Sequence, residues 1–218
     1  MKRLLSVAAR TAMAATLGLI AALIACLDRV DFSPWSESPL KPELASALAA
    51  LRQQSNVVFG PLRAGFGRAR LTPVLGSPVS NPERGEFQAL PLAGYGARKG
   101  RPATGVHDEL WVKAMALAVE GRTGIIVSAD ALIVPFEVAE AAAALLKPRG
   151  IEREQLYFGA THAHSSIGGW GRGVVAEAFA GGFQAGVRTW FSHQLASAAE
   201  AALNDLAPAT VGTASFVA

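Results

Sequence analysis

The chain is poor in the residues that usually announce a chemistry. It has one cysteine, Cys26, in 218 residues, which excludes an intramolecular disulfide framework. There are four histidines and two tyrosines, and aromatic residues make up only 7% of the chain. Charged residues are also sparse, at 17%, and the net charge is +3. The arginines are scattered, and no basic patch is interleaved with aromatics, so nucleic-acid binding is not expected. No internal repeat is visible. What remains is an apolar chain, 51% hydrophobic, long enough for one domain with a substantial core.

Part of that apolar excess lies at the N-terminus. Lys2, Arg3 and Arg10 form a positive flank, Thr11 to Leu27 carries no charge, and Asp28-Arg29 ends the run. Residues 1–27 read as a signal peptide or an N-terminal membrane anchor. Cys26 closes Leu23-Ile24-Ala25-Cys26, a string that resembles a bacterial lipobox, so lipidation of Cys26 is a third possibility. All three place the rest of the chain outside the cytoplasm, either anchored on the periplasmic or cell-surface side or secreted. The membrane is therefore an expected partner, whereas the oligomeric state is not legible. Residues 28–62 read as a juxtamembrane linker: Asp31 to Pro42 is rich in Ser and Pro, and Pro42 to Gln54 reads as a helix with Leu44, Leu48 and Leu51 on one face.

From Arg63 the pattern changes to alternating strands and helices. Ala64 to Leu71 alternates as a strand, and Leu75 to Pro91, with three prolines and two glycines, reads as a loop. Asp108 to Glu120 reads as a long strand, with helix left open by its alanines. Thr123 to Ala129, through Ile125-Ile126-Val127, has the continuous apolar pattern of a strand buried on both faces. A helix over Phe136 to Lys147 ends at Pro148 and Gly150. A strand over Gln155 to Ala160, a glycine-rich loop over Ser165 to Gly182, a helix from about Gly186 to Leu206 and a strand starting at Thr210 complete the order. This pattern predicts an α/β layered mixed sheet with flanking helices. The last strand has no successor to pair with, so the domain is expected to be incomplete and the chain the front part of a longer protein.

Half of the histidines stand together, in Thr161-His162-Ala163-His164-Ser165-Ser166-Ile167-Gly168-Gly169. In extended chain, positions i and i+2 share a face, so two imidazoles would leave one strand end together. Such a pair suits two metal ligands, or one ligand and one acid/base; two hydrogen-bonded loop histidines are the plainer alternative. Metallo-β-lactamase-like hydrolases need Asp-His two residues after the second histidine, where this chain has Ser166-Ile167. Barrel amidohydrolases carry the pair after their first strand, and here at least two strands precede it.

A third family fits. Ala64-Gly65-Phe66-Gly67-Arg68-Ala69, Leu92-Ala93-Gly94-Tyr95-Gly96, Gly105-Val106-His107-Asp108-Glu109-Leu110 and Val127-Ser128-Ala129-Asp130 resemble, in order, blocks of the neutral/alkaline (non-lysosomal) ceramidases. Gly159 to Ser165 is similar to that family's T-H-x-H-S-G-P-G-G signature, with Ser166-Ile167 in place of Gly-Pro. The resemblance spans Ala64 to Ala218 and implies that 63–218 is the N-terminal portion of a ceramidase-like catalytic domain. It implies hydrolysis of the N-acyl amide bond of ceramide or a related lipid amide at a zinc ion, with His162 as a metal ligand and His164 as its catalytic neighbour. The family's other ligands, a His, a Glu and a Tyr, have no matching position before residue 218.

Other residues carry paired readings. Gly94 and Tyr95 suit a substrate mouth, or Tyr95 is a packed loop tyrosine. Asp130 suits a supporting partner of a metal-bound histidine, or a cap for the following helix. His107 suits an approach to the site, or a hydrogen bond at a strand start, and His193 reads as structural or surface. Arg98-Lys99-Gly100-Arg101 suits a solvated loop or a contact with anionic lipid heads. Trp170 with Phe179 to Phe183 suits an apolar rim or ordinary core. The non-catalytic alternative is a truncated relative that binds at a membrane surface, and a related hydrolase of a non-ceramide amide or ester is the enzymatic one.

Overall fold

A computed structural model describes residues 2–27, 32, 34–54 and 57–215. Asp28, Arg29 and Asp31, expected to end the apolar run and open the linker, lie outside the described residues, as do the side chains of Lys2 and Arg3 and the Phe216–Val217 end of the expected last strand. The chain divides into two units, Met1–Val57 and Val58–Ala218.

In the first unit, helix α1 (Lys2–Cys26) contains a window, Ala9–Cys26, with mean hydropathy 1.7, long and apolar enough to cross a membrane. A signal sequence has the same character. Cys26 is a free, exposed thiol at its end. A 3₁₀ turn over Trp35–Glu37 precedes α2 (Leu40–Gln54), on which Leu44, Leu48 and Leu51 form one exposed face.

The second unit is a mixed α/β layer. Its elements are β1 (Arg63–Arg70), β2 (Val74–Leu75), β3 (Glu86–Phe87), β4 (Trp111–Val119), β5 (Arg122–Ala129), α3 (Phe136–Leu146), β6 (Leu156–Ala160), α4 (Val174–Ala180), α5 (Ala185–Asn204) and β7 (Ala207–Pro208). Five strands form one sheet in the order β6-β5-β4-β1-β7. Only β5 and β6 run parallel, joined through α3, and the other neighbours are antiparallel. The crossover through α3 brings the C-terminal ends of β5 and β6 side by side, with Ala129 opposite Ala160.

The sheet has one buried face. Gly65, Ala116 and Ile125 stand in register across β1, β4 and β5, as do Gly67, Ala114 and Val127, and all of these except the half-exposed Gly67 are buried. Helix α5 packs on this face and α3 packs on α5. The glycines are required there: a Cβ on Gly65 would collide with the carbonyl of Ala202, and one on Gly67 with the carbonyl of Ala198 and the amide of Ala202. Removing two side chains lets the helix backbone rest directly on β1. Buried Val187, Phe191 and Leu195 then fill the interface, each worth about 1.5–3 kcal/mol in burial.

Four sequence expectations need correction. β5 is not buried on both faces: Ile126 is 45% exposed, in a cross-strand row with Phe66, Met115 and Tyr157. The apolar run reflects a helix on one side and this open apolar row on the other. The expected Leu75–Pro91 loop contains a short parallel pair, β2 with β3. The glycine-rich loop contains α4, set between Gly173 and Gly181. Finally, no described residue from Thr210 onward is in a strand; the chain instead meets the sheet edge earlier, at β7, where Ala207 and Pro208 pair with Ala64 and Arg63.

Arg70 at the end of β1 makes two hydrogen bonds to Glu109, at 2.7 and 2.8 Å, just before β4. These bonds, with Thr72 adding, hold the Glu109 carboxyl at about 2, below its ordinary 4.5. Both side chains are half exposed, so solvent screens the pair and its contribution is small.

Two outcomes follow from this packing. Gly67→Ala is expected to destabilise the domain by about 1–3 kcal/mol in chemical denaturation, because backbone rather than a flexible side chain must move; an unchanged midpoint would contradict the seating of α5 on β1. Glu109→Gln is expected to be less stable than the natural chain at neutral pH. A depressed carboxyl contributes stability above its unfolded pKa and loses it as the pH falls through the folded one. The difference should therefore shrink between about pH 4.5 and 2 and vanish below, as read from denaturation at each pH.

Candidate functional site

The histidine pair sits where β6 ends, beside the end of β5. The loop prolongs the strand pairing, with Thr161 N–H donating to Ala129 O at 3.0 Å and Ala163 N–H to Ala131 O at 3.1 Å. The two rings do converge, at 4.9 Å between centroids and 71° between planes. They do so by a different geometry from the extended one expected. His162 has φ 60°, in the left-handed region, so the chain turns between the rings instead of alternating across a pleat. That conformation is uncommon outside glycine, and such residues concentrate at functional sites.

His162 is held at one ring nitrogen. Its Nδ1 lies 2.9 Å from the carbonyl of Leu132, just past β5. A carbonyl only accepts, so Nδ1 carries the proton and the lone pair is left on Nε2. This is the arrangement by which proteins orient a metal-binding histidine. Leu132, rather than Asp130, is the partner bonded to the His162 ring. Asp130 itself accepts from the Trp111 N–H at 3.0 Å, while its own N–H donates to the Trp111 carbonyl, so it ties the end of β5 to the start of β4.

His164 is enclosed. Its Nδ1 is buried without a hydrogen-bond partner, and among the described residues it is the sole buried side-chain nitrogen or oxygen in that state. A buried nitrogen left unpartnered costs stability, which singles His164 out among these residues. The Tyr95 ring packs against the His164 ring at 4.7 Å between centroids, tilted by 57°. Gly94 makes this possible: it has φ 86°, and a Cβ there would lie 2.7 Å from the His164 ring. The structure thus brings Gly94, Tyr95, His162 and His164 together. Tyr95 also has positive φ, at 50°, so two of the four such non-glycine residues described flank His164.

The loop that departs from the ceramidase signature keeps its hold on this segment. Ser166 Oγ donates to Ala163 O at 2.7 Å, and its carbonyl accepts from Ala93 N–H at 3.0 Å. Ile167 is buried and bridges to Leu92. Gly168 N–H donates to Pro91 O at 2.7 Å, and a Cβ on Gly168 would strike the Ala180 carbonyl.

Of the remaining candidates, His107 lines a cavity that Ala163, Ser165 and Ser166 also bound, and Arg98 reaches the His164 carbonyl; the others lie elsewhere. His107 is exposed, and its hydrogen bond to the Asp108 carboxylate, at 2.7 Å, raises its pKa. His193 is exposed on α5. Trp170 is core: its Nε1–H donates to Ile167 O at 2.9 Å and its ring meets Phe179. The basic loop is not simply solvated. Arg98 turns inward, and Lys99 and Arg101 remain exposed. Sequence reasoning missed Arg98 and the Leu132 carbonyl. The first looked like one cation among three, and a backbone carbonyl leaves no mark in a sequence.

A catalytic zinc takes about three protein ligands and keeps one position open. His162 fits as one of them. Among the described residues no group of three or more His, Cys, Asp or Glu is placed to hold a metal, so the pair is part of such a site at most.

No protein-family profile and no curated protein matches the sequence. Solved structures do. A structure described as a ceramidase complexed with C2 is similar at 24% identity and TM-score 0.57, over 69% of this chain and 22% of that one. A neutral ceramidase from Pseudomonas aeruginosa is similar at 24% identity and TM-score 0.56, over 69% of this chain and 23% of that one. The chain therefore spans less than a quarter of the length of these structures. At that identity the likeness establishes architecture, and it agrees with the family that the sequence motifs resemble: the chain has the fold of a part of the neutral ceramidases.

Proposed function

We propose that residues 63–218 supply part of the active site of a zinc-dependent amidase that cleaves the N-acyl bond of ceramide or a related lipid amide. The observation that carries this reading is the pair of converging imidazoles, one anchored through Nδ1 to a carbonyl and the other with a buried, unpartnered Nδ1. It stands in a chain with a ceramidase-like fold and ceramidase-like motifs.

In this reading His162 presents its Nε2 lone pair as a ligand, and the remaining ligands come from beyond residue 218. Zinc, when bound, lowers the pKa of a coordinated water and polarises an amide carbonyl. His164, whose ring packs against His162, would stabilise an oxyanion on the substrate or give a proton to the leaving amine. Gly94 and Tyr95 line the approach for the substrate. An apolar cavity of about 320 Å³, bounded by Leu75, Leu90, Leu92, Val106, Leu110 and Ile167, abuts the same loop at Ala163 and Ser165, which suits a substrate with a fatty chain. Helix α1 would keep the domain at the membrane that holds such a substrate, with Cys26 as a lipidation point if the segment is processed as a lipoprotein.

One observation favours a related hydrolase of a non-ceramide amide or ester. Ile167, which replaces the signature proline, lines that cavity, so the wall a substrate would meet differs there from the signature's.

Zinc content after dialysis tests the divided site. The 218-residue chain is expected to hold substoichiometric, weakly bound zinc, and His162→Gln to remove it. A stoichiometric ion resisting a chelator would sink the proposal that later residues complete the site. Substrate class is tested by comparing ceramide with short N-acyl amides and esters on the protein extended past residue 218. Hydrolysis of the short compounds with none of ceramide would establish the alternative hydrolase.

A further inference from the structure

We infer that Arg98 is a positioning residue for His164, acting through the Tyr95 ring and the His164 backbone at once. This rests on the proposed function only where it concerns turnover.

Arg98 closes a 3₁₀ turn, Gly96–Arg98, whose flanking residues Tyr95 and Lys99 both have positive φ. The Arg98 N–H donates to the Tyr95 carbonyl at 2.7 Å. The side chain then folds back across the turn. One guanidinium nitrogen, Nη1, donates to the His164 carbonyl at 2.8 Å and to the Ala93 carbonyl at 3.2 Å. The guanidinium carbon lies 5.2 Å from the centre of the Tyr95 ring, within cation–π range. The Tyr95 ring in turn lies 4.7 Å from His164.

The arrangement forms a closed circuit. Arg98 fixes where the His164 backbone sits relative to Ala93, and it fixes the ring that packs on the His164 imidazole. Without the Arg98 side chain, Tyr95, which is 61% exposed, keeps the backbone hydrogen bond of its turn but loses the contact that holds its ring in place. His164 has no hydrogen bond at Nδ1 to substitute for that packing. An arginine suits this task because a planar guanidinium can stack on an aromatic face while its N–H groups point in fixed directions. The ammonium of a lysine can reach the carbonyls but cannot lie flat on the ring. The sequence gives no hint of the role, since Arg98 stands beside Lys99 and Arg101 in what reads as a solvated cationic loop.

With only four histidines, the chain suits ring-selective NMR: histidine labelled with ¹³C gives four assignable ring signals, each identified by a single His→Gln substitution. In the natural 218-residue chain at fixed pH, the His164 ring signals are expected upfield, displaced by the Tyr95 ring. Arg98→Ala is expected to move them toward those of the exposed His107 and His193, leaving His162 in place because its Leu132 anchor is untouched. Arg98→Lys is expected to fall between, and Tyr95→Phe, which keeps the ring, to leave His164 where it was. Unchanged His164 signals in Arg98→Ala would overturn the inference. So would an equal displacement of His162 and His164 with a lowered melting temperature, which marks a general structural role. If Arg98→Ala does not fold, Arg98→Lys and Tyr95→Leu decide the same point. On the protein extended past residue 218, Arg98→Ala is expected to lower kcat roughly ten- to a hundredfold, a larger effect than its change in KM through Tyr95, and Arg98→Lys to recover part of the loss in kcat. Should no amide be hydrolysed by any form, the proposed function fails while the NMR result still decides the role of Arg98.

Discussion

The second unit depends on how closely α5 can approach β1. At Gly65 and Gly67 the strand offers no side chains, and the helix backbone at Ala198 and Ala202 occupies the space they would need. Everything on the buried face follows from that seating. With the helix low on the sheet, small residues such as Ala114, Ala116, Ala199 and Ala202 fill much of the buried face, beside larger ones such as Ile125, Val127, Phe191 and Leu195. The high alanine content, which in sequence looks like low information, is the packing solution to a helix lying directly on a strand. Interiors are dense enough that a single methyl in that contact would have to be accommodated by backbone movement.

This base fixes the site indirectly. α5 holds β1, β4 and β5 in one layer, α3 packs on α5, and the β5–α3–β6 crossover brings two parallel strand ends together. Ligand sites in α/β sheets commonly lie at such carboxyl ends. Here the end of β5 supplies the Leu132 carbonyl and the end of β6 supplies the histidines. The Pro91–Arg98 segment closes over them from a remote part of the chain, bonded to the histidine loop at Ala93, Pro91 and Arg98. The site carries backbone strain at His162 and Tyr95, and the surrounding hydrogen bonds hold both residues in that conformation.

Much of the fold was legible in the sequence because it rests on short-range signals. The alternation over Ala64 to Leu71, the apolar run at Ile125-Ile126-Val127 and the helix closed by Pro148 and Gly150 each report local periodicity or a breaker. The misses have physical causes. The run through Ile126 looked doubly buried because apolarity does not say which face meets a helix. The stretch with α4 looked like loop because glycines at its two ends outweighed seven helical residues between them. The final strand was expected too late because β7 is two residues long and contains Pro208, which only a sheet edge tolerates.

For the site, the sequence by itself determined which groups are available: two histidines one residue apart after a strand, a Gly-Tyr-Gly turn, and glycines where the backbone must approach closely. Those are matters of residue type and local spacing. Only the tertiary structure decided how they are used. The pleat argument placed both imidazoles on one face of an extended strand, whereas a left-handed turn at His162 brings them together at an angle. The partners that orient them, the Leu132 carbonyl, the Tyr95 ring and the Arg98 guanidinium, lie 30 to 69 positions away from the histidines they serve. Local propensity acts over a few residues, so contacts across that distance are set by the packing that folds the chain back on itself.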